Sequence, residues 1–485
     1  MTVKEVKDPE KPGSVQMEVA SAEDSLNASA DGDYSGAVDK TSAAEIALCR
    51  KLDRRILPVL WAMYYLNYLD RNAIAQARLN NLEKDLGLVG SQFNVAVSIL
   101  FVGYLVMQVP SNMIMSKAHF KPSYYMAACM AIWAIVSACT ALAHNYIGLL
   151  MVRFFLGITE APYYPGAMYL LSLFYTRKEI ATRLSILYSA NIIATATSGL
   201  IAAATFASLD GKHGLEGWRW LFIIEGAVTF GVAIISMFFL PDHPLTTRWL
   251  TPEERQLAHE RIAKDTVGLE SNKGARAGFM QAVRDPRLWL FTFMQNCHLS
   301  ATGFNSFFPT VVRTLGFSRT MTLVLTCPPY LVSALACLGT GISSGKFNER
   351  TWHITGGMAV AMVGFITASC TMNVAARYTA CFLFASGCYA VNAVILGWVT
   401  ATLGQTSEKK AAALSIVNMF GNASFIYTPY LYPQSNGPKY LIAMSSNTAF
   451  SFVTIVCAWI LRVWLMRTNS KIKKSDATNK VLYAY

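Results

Sequence analysis

The chain has 485 residues, 53% of them hydrophobic and 14% charged, with a mean hydropathy of +0.34 and a formal net charge of +12. Soluble domains are about a quarter charged, so this deficit argues against a cytosolic enzyme, a nucleic-acid-binding protein and a disordered scaffold. A membrane span needs about 20 apolar residues, and the body that follows a polar head has room for roughly twelve of them with short connections.

The head comes first. Residues 1–45 carry ten acidic residues and four lysines, and stretches such as Ser21 to Gly36 lack the apolar content needed to fold. A disordered cytoplasmic tail is therefore expected over 1–49. No basic segment followed by an apolar run opens the chain, so the first span is expected to act as its own insertion signal.

Hydropathy then predicts spans over 56–76, 93–115, 123–143, 146–174, 181–207, 219–240, 288–312, 321–341, 352–371, 376–403, 411–432 and 441–466. The fold class expected is an all-α polytopic membrane protein, with twelve transmembrane helices in two six-helix bundles over 50–240 and 288–466. Between the bundles, the polar segment 241–287 holds eight Lys and Arg against seven Asp and Glu. Within it, Thr251-Pro252-Glu253-Glu254 reads as a capped helix start on a cytoplasmic surface helix. Lys and Arg concentrate in the even-numbered connections and the chain ends, which orients both termini, including the tail 467–485, toward the cytoplasm. Six spans, a polar connection and six more spans is the organisation of a carrier built from two repeated bundles around a midplane site.

Charges inside spans cost several kcal/mol each and mark function by default. In the first span, Asp70 and Arg71 stand side by side. Asn67, at i−3 and i−4 from them, is expected to share their face. In the fourth span, Arg153 and Glu160 fall about 20° out of phase and roughly 10 Å apart along one helix face. Pro162 and Pro165 then interrupt the backbone just after Glu160, a break tolerated where neighbouring groups satisfy the freed carbonyls.

A structural ion pair, Asp70 with Arg153 or Glu160 with Arg71, is the plainer reading of these four residues. A buried arginine that receives a carboxylate beside an acid that carries a proton is the functional one. Glu225 reads as interfacial or paired with a neighbouring helix, and His298 as a hydrogen-bonded structural histidine or a titrating group. The ten cysteines are scattered singly, with no CxxC and no ligand spacing, and read as small core residues. No HExxH, nucleophile elbow or phosphate loop occurs, so no catalytic residue, metal or cofactor is assigned.

These residues also carry a family resemblance. Arg153-x-x-x-Gly157-x-x-x-Ala161 resembles the fourth-span motif of the major facilitator superfamily. Asn67-Tyr-Leu-Asp70-Arg71, with Arg153-Phe-Phe-Leu-Gly-x-x-Glu160, resembles its anion:cation symporter family. Leu240-Pro-Asp242-x-Pro-x-x-x-Arg248-Trp-Leu, Phe308-Pro-Thr-Val-Val-x-x-Leu-Gly-Phe-Ser318 and Val417-Asn418-Met-Phe-Gly421-Asn422 are similar to the fungal allantoate permease branch, and the likeness runs over about residues 50–466.

The resemblance implies roles residue by residue. Arg71 contacts a substrate carboxylate, Asp70 and Glu160 couple the proton, and Arg153 pairs with the acids in a gating role. Tyr104, Asn191, Asn418 and Asn422 line the cavity, although for the asparagines helix–helix hydrogen bonding is an equal alternative. The segments Ser116 to Pro122 and Ser343 to Arg350 depart from the superfamily's charge signature. There Lys117, Lys121, Lys346 and Arg350 are left to find other partners such as Glu179 or Glu408.

The function implied is proton-coupled symport of a small organic anion, such as a vitamin or ureide carboxylate, by a monomer in the plasma membrane. Its partners are the substrate anion, the proton and the lipid bilayer, with no nucleic acid. Export of a secondary metabolite on the same fold and a non-transporting nutrient sensor are the alternatives.

Overall fold

The computed structural model describes residues 43–115, 121–267, 274–347, 349–403, 407–475 and 483. Among them the regular elements are helical. The N-terminal half contains α1 (Ala43–Arg78), α2 (Gln92–Met115), α3 (Pro122–Cys139), α4 (Tyr146–Glu160), α5 (Tyr163–Phe174), α6 (Arg177–Leu209) and α7 (Gly217–Phe239). The central connection holds α8 (Pro252–Val267) and α9 (Gly274–Arg284). The C-terminal half contains α10 (Pro286–Thr302), α11 (Phe308–Arg313), α12 (Arg319–Leu325), α13 (Cys327–Phe347), α14 (Thr351–Cys370), α15 (Val374–Thr402), α16 (Ser407–Asn422), α17 (Ser424–Tyr427) and α18 (Leu441–Ser475).

Helix boundaries follow local chemistry. Asn145, Asp285 and Asn373 cap α4, α10 and α15 by accepting from the backbone amides of Gly148, Arg287 and Ala376. Thr176 and Glu179 form a reciprocal capping box at the start of α6. The box expected at Thr251 is present: Glu254 accepts from the Thr251 amide at 2.9 Å, and the Thr251 hydroxyl accepts from the Glu254 amide at 3.3 Å. The α4–α5 break falls at Ala161 and Pro162, where the sequence predicts it.

Seven described helices are long and apolar enough to cross a membrane, including α3, α7, α13, α14, α15, most of α6 and most of α18. The other expected spans fall on α1, which carries several charges, on α2, and on α4–α5, α10–α11 and α16–α17, which are divided into shorter helices.

Two boundaries differ from the sequence reading. Helix α1 begins at Ala43 and runs 36 residues, about 54 Å at 1.5 Å per residue. Its first turns dock onto the central connection: Lys51 pairs with Glu254 at 2.6 Å, Glu45 reaches Arg261 at 4.0 Å, and Arg55 lies over Trp249 at 5.3 Å. At the other end, α18 continues to Ser475 into the segment expected to be tail. Glu179 is taken by Arg261 at 2.7 Å, and Arg350 donates to Ser344 at 2.8 Å. Lys117 and the side chain of Glu408 lie outside the described residues.

Each half packs around its own helices, and the halves meet through α6 against α12 and α13 and through α2 against α16 and α17. The meeting is concentrated at the end away from the central connection. There Phe93 packs edge-on against Phe307, Arg319 pairs with Asp210 at 3.6 Å, and Gln434 donates to Glu83 at 3.0 Å. Slightly deeper, Phe101 stacks on Phe425 at 4.8 Å and Ser98 donates to the Ile426 carbonyl at 2.7 Å. The ion pairs at the connection end, Arg183–Asp53, Arg261–Glu179 and Lys409–Asp285, each stay on one side of the divide.

Glycines set one helix crossing. A Cβ at Gly157 would run into the Leu100 carbonyl, and one at Gly103 into the Phe154 carbonyl, so α2 and α4 touch backbone to backbone. This contact brings Tyr104 beside the helix that carries Arg153 and Glu160. Gly157→Val is expected to abolish recovery of monodisperse protein, because backbone cannot yield as a side chain can. Gly231→Ala, which meets nothing within 4 Å, is expected to leave the gel-filtration profile and melting midpoint at wild-type values.

Candidate functional site

Between the halves lies a cavity of about 120 Å³. Helices α1, α2, α4, α5 and α6 form one wall, and α10, α15, α16 and α17 the other. Arg71, Tyr104, Arg153, Glu160, Asn191, Asn418, Asn422 and Asn67 all line it.

The N-terminal wall is charged. Arg71 donates through Nε to Glu160 at 2.5 Å, and the Glu160 side chain is fully buried. The Arg71 guanidinium lies over the rings of Tyr104 at 4.7 Å and Tyr68 at 5.3 Å, contacts in which the ring faces attract the cation. Of the two ion pairs weighed from sequence, the Glu160–Arg71 pair is the one formed.

Arg153 does not make the ion pair expected of it. It is 1% exposed, its Nη2 reaches only the Arg71 carbonyl at 3.5 Å, and its Nε and Nη1 have no hydrogen-bond partner. The second carboxylate oxygen of Glu160 and the amide nitrogen of Asn67 are likewise buried without partners. Donors and acceptors left open in this way are costly in a finished core, and here they converge on a cavity.

Asp70 does not share the cavity face. Successive helix residues are turned by about 100°, so Asp70 and Arg71 fall on opposite flanks of Asn67. Asp70 instead points toward α3 and α7, where the hydroxyls of Ser137 and Thr229 donate to it at 3.2 and 3.4 Å. His298 is also outside the lining residues. It is buried on α10 with neither ring nitrogen hydrogen-bonded, so the structural hydrogen bond expected for it is not made. Glu225 is buried rather than interfacial, and neither of its carboxyl oxygens has a partner.

The C-terminal wall is polar, and its described lining residues carry no charge. Gln295 donates to the Asn392 amide oxygen at 2.9 Å while its own oxygen stays buried and unpartnered. Asn305 donates to the Tyr389 hydroxyl at 2.8 Å and accepts from Tyr330 at 3.1 Å. Asn422 donates back to the Asn418 carbonyl at 2.8 Å. Sequence reading missed Gln295, Asn305, Tyr389 and Asn392. For the three amides the signal available was an amide inside an apolar run, the same one that drew attention to Asn191, Asn418 and Asn422; Tyr389 offered none.

The geometry makes a stability prediction. Removing one member of a buried pair strands the other and costs about 3–5 kcal/mol, so Arg71→Ala and Glu160→Ala should each lower the melting midpoint in detergent. The double variant should lose clearly less than the two single losses added together. Additive losses would mean that the two side chains do not interact.

Comparison with known proteins follows the same lines. Residues 60–429 match the family model of the Major Facilitator Superfamily. The Major facilitator-type transporter hxnP of Emericella nidulans is 30% identical over 90% of this chain and 89% of its own length. The MFS-type transporter cnsO of Penicillium expansum is 31% identical over 89% of this chain and 85% of its own. Among solved structures, a bacterial homolog to the human lysosomal transporter Spinster, inward-facing and occupied, superposes with a TM-score of 0.64 at 18% identity, covering 83% of this chain and 94% of that one. Shared family, shared helical fold and a run of apolar helices agree: the chain belongs to the major facilitator superfamily and is an integral, multi-pass membrane transporter of that type.

Proposed function

We propose that the protein is a proton-coupled symporter of a small organic anion, a carboxylate of vitamin or ureide size, working by alternating access between two six-helix bundles. The carrying observation is the buried Arg71–Glu160 pair next to Arg153, whose guanidinium keeps unpartnered donors on the cavity. A substrate carboxylate satisfies those donors, and planar guanidinium donors suit two-point recognition of a carboxylate. Competition for Arg71 frees Glu160 to take a proton, so that anion and proton favour each other's binding.

The closed end of the cavity supports an assignment of this conformation as inward-open, with both termini and the 241–287 connection on the cytoplasmic side of the plasma membrane. The helices α1, α2, α4–α5, α10–α11 and α16–α17 complete twelve spans on this reading. Each carries lining residues, and intramembrane polarity is tolerated where it faces a water-filled cavity. The motifs of the first and fourth spans support membership of the anion:cation symporter family by their resemblance to it, and the Leu240 and Val417 segments support its fungal allantoate permease branch in the same way. The monomer encloses the whole site.

A competition uptake screen of small carboxylates, in cells expressing the chain at two external pH values, tests this reading. At least one carboxylate is expected to enter faster at the lower pH and to stop entering when a protonophore is added. Arg71→Gln should reduce that uptake by at least about tenfold, as loss of one partner of a buried charge contact does, with surface expression unchanged. Uptake of neutral compounds alone, insensitive to pH, would overturn the proposal.

A further inference from the structure

The cavity uses Glu160, but the N-terminal half buries two more acids. Asp70 on α1 is fully buried and Glu225 on α7 is 3% exposed. Thr229, one helical turn after Glu225 and on the same face of α7, donates its hydroxyl to Asp70 at 3.4 Å. Glu225 thus lies one turn from the Asp70 contact on the same α7 face, and α7 packs against the α1 helix that carries Asp70.

Their surroundings are asymmetric. Ser137 and Thr229 serve Asp70, and Arg153 and Glu160 on α4 act on it from the cavity side. Glu225 has neither a hydrogen-bond donor nor a cation. Asp70 is the titratable group that acts on it among the described residues, and the other elements packed on α7, namely α3, α6 and the turn at 140–142, contribute none. Arg219, two turns back on α7, is held elsewhere by Glu216 at 2.5 Å and by the Ala141 and Ala143 carbonyls.

We infer that Asp70 and Glu225 form a carboxyl pair that binds a proton behind the cavity wall. Two neighbouring acids in a dry interior cannot both stay ionised, and the proton belongs to the pair as a unit. Charge counting agrees. The half buries three acids, Asp70, Glu160 and Glu225, beside two cations, Arg71 and Arg153, and one proton on the pair makes the set neutral. A carboxylate arriving at Arg71 and Arg153 would return the set to −1 and favour a second proton on the pair. That last step rests on the proposed anion symport, whereas the pair itself does not.

Infrared difference spectroscopy of the purified full-length protein tests the pair without any substrate. Wild type is expected to show, at neutral pH, a protonated-carboxyl C=O band that moves on deuteration and fades at alkaline pH. Glu225→Gln should remove one carboxyl's share of that band, Glu225→Asp should shift its frequency, and Asp70→Asn should shift what remains. A neutral-pH band that is identical in wild type, Glu225→Gln and Glu225→Asp would overturn the inference. Melting midpoints show which variants are folded, and the Asp variant carries the test if the Gln variant is not. Loss of the band in Glu225→Gln upholds the pair even where uptake proves insensitive to pH; that combination removes only its part in coupling.

Discussion

A guanidinium and a carboxylate held together at 2.5 Å in a membrane protein's interior set the terms for the rest of the molecule. Neither ion is stable there alone, so Arg71 of α1 and Glu160 of α4 must be brought together by helices that cross elsewhere. The backbone contact at Gly103 and Gly157 holds α2 against α4, so that the Tyr104 ring can sit against Arg71. The break at Ala161 and Pro162 ends α4 just after Glu160, and α5 follows at once with Tyr163 and Tyr164 stacked against Tyr64.

The two halves divide the chemistry. Both cavity arginines and the cavity acid come from the N-terminal half, whereas the C-terminal wall presents amides and tyrosine hydroxyls already hydrogen-bonded to one another. On the proposed reading, the first wall holds an anion by charge and the second reads its uncharged part by hydrogen bonding, with Gln295 keeping one acceptor open. The contacts that join the halves lie at one end, through Phe93–Phe307, Asp210–Arg319 and Glu83–Gln434. Phe93 and Phe307 are buried, whereas the polar pairs around them are partly exposed; on the proposed reading this is the closure that reopens.

Charges in apolar runs are rare enough to stand out, and Arg71, Arg153 and Glu160 were legible in the sequence for that reason. Long apolar helices and interrupted ones both reach the site: α6 and α15 line it, and so do α1, α2, α4–α5, α10 and α16–α17. What one strand of sequence could not supply was pairing across helices. Asn67 shares a face with either neighbour, so only the packed α3 and α7 show that Asp70 turns away from the cavity. Gln295 and Asn392 each look like an ordinary buried amide until they meet. The early start of α1 at Ala43 depends on Glu254 and Arg261, some two hundred residues away, and no local pattern announces it.

On the proposed account, a carboxylate and a proton compete and cooperate at one set of buried charges, so a gradient of either should move the other. The most direct measurement is the internal pH of proteoliposomes that contain the purified protein, with a carboxylate found by uptake placed only outside and no initial pH difference. The account predicts that the lumen acidifies as the carboxylate enters and that Arg71→Gln vesicles stay at their starting pH. Entry of the carboxylate with no change in luminal pH, beyond that of empty vesicles, would contradict it.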